Sequence, residues 1–557
     1  MNSWVRRASY AAAALIVLAV LAWTWRVELA LKGVEYLARR QYDIGPPRDI
    51  AWDRAPTDAA PGPRERPPNI VLILADDLGW NDLTFHGGGV GGGAVPTPNI
   101  DSIAADGVTF TQGYAANGTC APSRAALMSG RYGTRFGFEF TPTPPQMVPM
   151  LDLIGSAREA EGPPTLRRED VETVPFAEMG MPPSEISIAE LLGQRGYHTV
   201  HIGKWHLGRT NGMAPHEQGF DESLLMTSGL YGRLDDPSVV QSRQDFDPID
   251  RFLWHGLRFA AQFNGGPAFE PPSYLTDYYT DEAVKVIEAN RDRPFFLYLA
   301  HWAPHTPLQA KKEDYDALEE IPLHRERVYG AMIRSLDRGV GRVLEALEAN
   351  GLTENTLVLF TSDNGGAGYI GLPEVNAPFR GWKITLFEGG VHVPFFAKWP
   401  ARLPAGVVYE QPVQHFDLYA TAAAAAGAEL PSDRVIDGVD LVPYVTGAAE
   451  GVPHDALFWR SGAAQSVRIG DYKMNVSAPE GMPRREWLFD LSRDPGERDD
   501  LSEAMPEKLA ELRAALAAHD AAQMPPAWPA QLVTPINVDR PLGVPFGAGD
   551  EFAYWSN

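Results

Sequence analysis

The segment Asn117-Gly-Thr-Cys-Ala-Pro-Ser-Arg124 places the chain's only cysteine, Cys120, two residues before a proline and four before an arginine. Pro122 suits the first turn of a helix running on through Ala125-Ala126-Leu127-Met128, which leaves Cys120 just before the helix start and Arg124 within its first turns. Free backbone N–H groups, the helix dipole and a guanidinium then converge on an anion held beside residue 120. Taken separately these are features of any helix N-terminus, and a lone cysteine is by default a small buried hydrophobe. Together they invite a reactive reading of Cys120.

Four further clusters follow short apolar runs that read as strands, and in open α/β sheets ligands bind outside the carboxyl ends of the strands. Asp76 and Asp77 follow NIVLILA; adjacent carboxylates repel each other and a cation is the natural remedy, although a solvated loop would also hold them. Asp363-Asn364-Gly365-Gly366 follows TLVLFTS. With Asp76 and Asp77 it completes an all-oxygen shell that suits Ca²⁺ or Mg²⁺ and not zinc, while as a turn it is ordinary. In YHTVHIGKWHLG, Lys204 and His206 lie two apart and face the same way on an extended backbone, an oxyanion binder beside a proton carrier. FFLYLAHWAPHTPL carries His301 and His305, with Pro304 and Pro307 stiffening the loop. His305 is the better candidate, because His301 is close enough to the strand to be a packed core residue.

The elements that must position these residues alternate along the chain. Ile70–Ala75, His198–Ile202, Phe295–Ala300 and Thr356–Thr361 read as buried strands; Ser187–Arg195, Thr280–Asn290 and Arg325–Asn350 carry helical spacing. The expectation is an α/β fold with a large, mostly parallel sheet flanked by helices over 69–430. After an Ala-rich helix at Asp417–Gly427, strands at Leu457–Trp459, Ala464–Ile469 and Tyr472–Met474 and a helix at Glu507–His519 give a smaller α+β unit over 431–523. The Pro-rich stretch 524–557 is expected to wrap the surface as an irregular tail.

At 557 residues with 44% hydrophobic content the chain can bury a substantial core, and one cysteine excludes an intramolecular disulfide framework. A net charge of -24 and the absence of basic runs argue against a nucleic-acid partner. Arg6 and Arg7 precede an apolar run from Tyr10 to Trp23, the order an export signal requires. The run is nearly long enough to span a bilayer, continues into a helical Val27–Arg40, and offers only a weak cleavage site at Val20-Leu21-Ala22. Residues 1–42 are therefore expected to be an anchor or signal segment, more readily an uncleaved anchor, facing the folded part toward a periplasm or the cell exterior. The segment 43–68 (DIGPPRDIAWDRAPTDAAPGPRERPP) reads as a Pro-rich linker holding that part off the membrane.

The chain resembles the type I, formylglycine-dependent sulfatases of the alkaline-phosphatase-like superfamily. Cys120-Ala-Pro-Ser-Arg124 matches the family's Cys-x-Pro-x-Arg signature, and Ser129-Gly130-Arg131 its small-Gly-Arg. Asp76-Asp77, Thr97–Asp101, Gly203–His206, Ala303–His305, Ser362–Gly365 and Gly381-Trp382-Lys383 follow in family order, and Leu488–Leu501 resembles the family's C-terminal domain. Ser129 stands where Thr is more frequent, His392 stands where an Arg is common, and the loop His86–Pro96 is unusually glycine-rich, a rim of the pocket or an insertion. The resemblance implies that a separate formylglycine-generating enzyme oxidises Cys120 to an aldehyde, whose hydrate attacks sulfur and later expels sulfate. It further implies a divalent cation, Ca²⁺ with Mg²⁺ as the alternative, held by Asp76, Asp77, residue 120, Asp363 and Asn364. Arg124 and Lys204 would orient the hydrate, His206 would be the base, and His305 and Lys383 would bind the bridging side of a small sulfated ester. Lys383, following Gly-Trp, could equally be a surface residue.

Two rivals remain at this level. A phosphate or phosphonate ester hydrolase shares the superfamily fold, but one metal with Lys and Arg suits the singly charged sulfate monoester better, and the His-rich metal clusters of phosphate chemistry are missing from the motifs. A sulfated-glycan binder without catalysis would not need every catalytic position intact. The stretches Phe140–Pro183 and Thr227–Pro272 are expected to shape the leaving-group pocket, with Tyr231, Trp254, Phe259 and Phe263 either stacking a ring or filling the core.

Overall fold

The computed structural model describes residues 22–41, 43–55, 66–144, 147–155, 163–167 and 174–557, with a few isolated positions before them. In chain order the elements used below are helix α1 (Arg26–Gln41), strands β1 (Asn69–Ala75) and β2 (Val108–Phe110), helices α2 (Cys120–Ser129) and α3 (Met147–Gly155), and strands β3 (His198–Gly203) and β4 (Glu222–Gly229). Helix α4 (Pro248–Gly256), strands β5 (Phe259–Phe263) and β6 (Ala268–Phe269), helix α5 (Leu275–Ala289), strand β7 (Phe295–Ala300) and helix α6 (His324–Ala349) follow. Then come strands β8 (Thr356–Ser362), β9 (Phe395–Lys398) and β10 (Val407–Tyr409), and helix α7 (Phe416–Ala425).

These strands form one ten-stranded sheet in the order β10-β2-β9-β8-β1-β7-β3-β4-β5-β6. Its centre, β8-β1-β7-β3-β4, is entirely parallel, and antiparallel pairs lie only toward the two margins. Parallel central strands must be covered on both faces, which is why β1 is buried at every position. Its alternate residues feed different cores: Val71 and Ile73 join the layer containing Val286, Val328 and Leu336 of α5 and α6, while Ile70, Leu72 and Leu74 join Ala125, Leu127, Leu418 and Ala422 of α2 and α7. A smaller antiparallel sheet follows: β11 (Ala456–Ser461), β12 (Ala464–Ile469), β13 (Tyr472–Ser477) and β14 (Arg485–Asp490), backed by helix α8 (Pro506–Asp520).

Two expectations require correction. The tail from residue 524 is not irregular: β15 (Leu532–Asn537) and β16 (Phe552–Ser556) pair with each other, and β15 with the short strand Leu166–Arg167. Pro535 lies inside β15, and a proline argues against a strand when only sequence is read. Nor is 43–68 wholly a spacer. Ile50, Trp52 and Ala55 are buried, Trp52 Nε1 donates to Glu282 at 2.7 Å, and Gly45 pairs with β6. Residues 56–65, and most of the apolar run Tyr10–Trp23, lie outside the described residues. Among the described residues no helix is long and apolar enough to cross a membrane.

Candidate active site

Parallel register brings four strand ends together. Ala75 pairs with Ser362 and Ala300 with Gly203, so Asp76-Asp77, Asp363-Asn364, Lys204 and the loop after β7 leave the sheet side by side. Helix α2 enters from the opposite layer. Cys120 is its first residue and not, as expected, the residue before it. Thr119, with extended φ/ψ, occupies the capping position, and the first intrahelical bond runs from Ser123 N to Thr119 O. Pro122 is tolerated as the third residue because the first N–H groups of a helix have no internal acceptor.

Arg124, wholly buried, ties these pieces together. Its Nε donates to Asp363 Oδ2 at 2.8 Å, Nη2 to Asp76 Oδ2 at 3.1 Å and Nη1 to the Lys204 carbonyl at 2.9 Å. Lys204 Nζ lies 2.6 Å from Asp76 Oδ2, and Lys383 Nζ donates to Asp77 Oδ1 at 2.6 Å. Lys383 is thus buried in the cluster and not on the surface. Gly118 allows this approach: a Cβ there would stand 2.4 Å from the carbonyl oxygen of Thr385, and Ile384 N donates to the Gly118 carbonyl at 2.6 Å.

Two oxygens in the cluster, Asp76 Oδ1 and Asn364 Oδ1, are buried without a hydrogen-bond partner. Orphaned buried acceptors beside three carboxylates are what a hard cation would satisfy. Ligand atoms of Asp76, Asp77, Cys120 and His305 also lie within 4.8 Å of one another. Burial and the Asp363 carboxylate push Asp76 up to about 7 despite Lys204 and Arg124. At Asp77 burial acts the same way, but Lys383, His305 and Lys204 outweigh it and the carboxyl is held below its ordinary range. Burial raises the Cys120 thiol, yet the ammonium groups of Lys204 and Lys383 prevail and lower it overall.

His305 Nδ1 contacts the Thr306 carbonyl at 2.5 Å, which makes Nδ1 the protonated nitrogen and leaves Nε2, 3.6 Å from Asp77 Oδ2, as an acceptor on the side of the ring that faces the cluster, where His305 also bonds the Cys120 side chain. Burial, reinforced by Lys204, Arg124 and Lys383, keeps His206 neutral far below the usual imidazole range, and its Nδ1 has no hydrogen-bond partner. His301 is buried with both ring nitrogens unpartnered. His392 belongs elsewhere, bonded to Glu388 Oε2 and the Thr111 carbonyl at 2.8 Å each. The glycine-rich loop folds against α6 and the residues before it: a Cβ at Gly330 of α6 would stand 3.3 Å from Val90, and one at Gly91 would meet Ile321.

Two residues escaped the sequence reading, and a third has a role beyond the one expected. Tyr369 donates its hydroxyl to Asp77 Oδ2 at 2.7 Å. The Trp302 ring stacks on His305 with centroids 3.8 Å apart and lies 4.6 Å from Lys204 Nζ, so one indole braces two cluster residues. Tyr231, expected as a ring-stacking or core residue, is buried and bonds the carbonyls of Trp302 and His305 at 2.8 Å each. Only proximity to His305 and to Asp363-Asn364 in the chain could have flagged the first two. Asp77, His206 and Ile384 have φ of 63°, 67° and 72°. Such left-handed conformations cost on the order of 1–3 kcal/mol each and persist where surrounding structure enforces them.

A family model described as Sulfatase matches residues 68–428. N-acetylgalactosamine-6-sulfatase of Canis lupus familiaris is 35% identical over 479 residues, 80% of this chain and 83% of the relative. Steryl-sulfatase of Mus musculus is 34% identical over 569 residues, 86% of this chain and 85% of the relative. The crystal structure of Ps i-CgsB in complex with k-i-k-neocarrahexaose superposes with a TM-score of 0.67 at 31% identity, covering 83% of this chain and 95% of that one. With that family model spanning most of the buried sheet and these relatives matched over most of their own length, the chain belongs to the sulfatase family and is a sulfate-ester hydrolase.

Proposed function

We propose that this sulfatase cleaves a sulfate monoester of a small alcohol using formylglycine made from Cys120 by a separate modifying enzyme, with one divalent cation. The reading is carried by one observation: Cys120 heads a buried helix N-terminus at which three carboxylates, three basic side chains and two orphaned oxygens converge. Asp76, Asp77, Asp363, Asn364 and residue 120 would hold the cation, and their oxygen-rich set suits Ca²⁺ first and Mg²⁺ second. When bound, the cation would offset negative charge developing on the sulfate oxygens, and the hydrated aldehyde would supply a nucleophilic oxygen with a second hydroxyl for release.

The chain's own residues then divide the work. Arg124 and Lys204 hold the anionic side of the pocket in a fixed geometry, since both are locked to Asp76. His206, neutral at working pH, takes a proton at its free ring nitrogen. Lys383 presents its ammonium and His305 its unprotonated Nε2 from the side of Asp77, where the bridging oxygen of the ester would sit and take a proton from Lys383 as the alcohol leaves.

The apolar run Tyr10–Trp23 supports export with that segment kept as a membrane anchor, the folded part facing outward. The test of the catalytic reading is mass spectrometry of the tryptic peptide bearing residue 120, made with and without the modifying enzyme. Turnover of an aryl sulfate, N-acetylgalactosamine 6-sulfate and a steryl sulfate is then compared with that of an aryl phosphate. An unmodified thiol accompanied by undiminished sulfatase activity defeats the formylglycine mechanism, and faster phosphate turnover defeats the substrate class.

A further inference from the structure

Helix α1 is apolar on two sides. One side is used: Leu31, Val34 and Ala38 are buried, and Leu31 and Val34 cluster with Phe252 of α4 and Met150 of α3. Arg251 of α4 adds an ion pair to Glu28 at 2.8 Å. At 3.6 residues per turn, Leu29 and Tyr36 fall on the opposite side of the helix, in line with Trp25 just before its first turn. These three are 56%, 55% and 58% exposed, and Leu37 beside them is 59% exposed. Isolated surface apolar residues need no explanation, but an aligned stripe on a helix already apolar on its other side marks a surface meant to be covered.

What covers it is indicated by the residues around it. The strongly apolar run Tyr10–Trp23 leads directly into the helix. In a protein of net charge -24, α1 carries four basic residues (Arg26, Lys32, Arg39, Arg40) against two acidic ones. Arg26 lies 4.4 Å from the Trp23 ring centroid and Arg40 4.6 Å from that of Tyr36. Aromatic rings paired with basic groups beside an apolar stripe are the makeup of a helix lying in a membrane interface, where rings sit at headgroup depth and cations meet anionic lipid.

We propose that the outward face of α1 lies on the lipid bilayer and that, because its inner face is fixed to α3 and α4, it seats the catalytic domain directly on the membrane instead of letting it hang from a linker. This rests on the reading of Tyr10–Trp23 as membrane-inserted, which delivers α1 to the surface, and adds that the globular domain itself is in contact.

The test uses the full chain reconstituted into vesicles of phosphatidylcholine and phosphatidylglycerol. An environment-sensitive fluorophore is attached in separate variants at Leu29→Cys, Tyr36→Cys and, as a control on an exposed site in the other half of the chain, Val435→Cys; the native Cys120 is buried. Retained aryl-sulfate turnover reports that each variant is folded. The expected result is co-flotation with vesicles, loss of quenching by aqueous iodide at positions 29 and 36, and retained quenching at 435. Co-flotation with equal iodide quenching at all three positions overturns the seated domain while sparing the anchor. Failure to float overturns both, and shielding at all three positions overturns the proposal as non-specific adsorption.

Discussion

The Tyr369 hydroxyl donates to Asp77 Oδ2 across 2.7 Å, while the other oxygen of the same carboxylate receives Lys383 and Asn364 at 2.6 and 2.8 Å. Asp77 is therefore aimed from three directions before any substrate arrives. Tyr369→Phe removes one of them without changing the ring. Partners of this kind, behind a metal-binding carboxylate, typically carry 10–100-fold in metal affinity or activity. The expected outcome is a loss of about that size in cation affinity by titration calorimetry, with the melting temperature little changed. Unaltered affinity and kcat/KM would show that the hydroxyl is only a packing convenience.

Arg124 neutralises Asp76 and Asp363, and all three side chains are wholly buried. Arg124→Met strands both carboxylates, and breaking a buried ion pair from one side costs about 3–5 kcal/mol. Thermal denaturation should show a large fall in melting temperature, partly restored by added Ca²⁺ because a cation can take over the stranded charge. Arg124→Lys should retain more stability than Arg124→Met yet still lose kcat, since an ammonium cannot reach three acceptors in one plane.

Chelation offers a separate check. With Asp76 Oδ1 and Asn364 Oδ1 unpartnered, stripping divalent cations is expected to abolish turnover and lower the melting temperature together. Re-addition of Ca²⁺ should restore both more fully than Mg²⁺, whose strict octahedral demand fits less easily. Full activity after exhaustive chelation would dismiss the cation.

His206→Gln is expected to lower kcat by about 10²–10⁴-fold with a much smaller change in KM, the pattern of a lost proton carrier. His206 is kept neutral far below the ordinary imidazole range, so kcat in the parent should not fall with a midpoint near 6.5 on account of this residue. A limb near that value that disappears in the variant would contradict the assignment.

A pH effect on stability should arise from a buried cluster outside the reacting centre. Lys473, wholly buried, lies 2.7 Å from Glu388 Oε1 and 3.2 Å from Glu497 Oε1, one cation between two carboxylates. Burial, with the Glu388 charge opposing Lys473, pushes Glu497 from 4.5 up to about 7. The folded state then binds a proton that the unfolded state has released, so the contribution of Glu497 is fully present below pH 4.5 and is lost as pH rises toward 7. Glu497→Gln should lessen the fall in melting temperature across that window, measured by calorimetry at several pH values, with the remainder owed to Asp76, Asp82 and Asp250, which burial also pushes up to about 7. An unchanged slope would point to another group.

Much of this was legible in the sequence, for definite reasons. Strands β1, β7 and β8 are nearly continuous apolar runs because they are covered on both faces, and these and β3 end where polar residues begin, so Asp76, Asp77, Lys204, Asp363 and Asn364 could be placed at strand ends from spacing alone. Cys120 and Arg124 were tied by helix geometry, although the helix starts one residue earlier than proline usage implied. Trp302 and Tyr369 were hidden because aromatic residues within apolar segments are usually core; their value comes from what folding stacks on them. The strands of the tail were hidden by Pro535, which β15 accommodates. Burial of Trp52 depends on a groove made by residues more than two hundred positions away, which no local pattern announces.

The pairing of Gly45 with β6 has one further outcome. Strand β6 is the last in the ten-stranded sheet, and Gly45 N donates to the Ala268 carbonyl at 2.9 Å while the Gly45 carbonyl accepts from Glu270 N at 3.0 Å. The stretch before Ala55 thus occupies backbone groups that a naked margin would offer to any passing chain. A protein shortened to begin at Pro68, where the family match starts, would keep every residue of the reacting centre and lose this cover, and its first failing would be self-association into insoluble material, not slower chemistry.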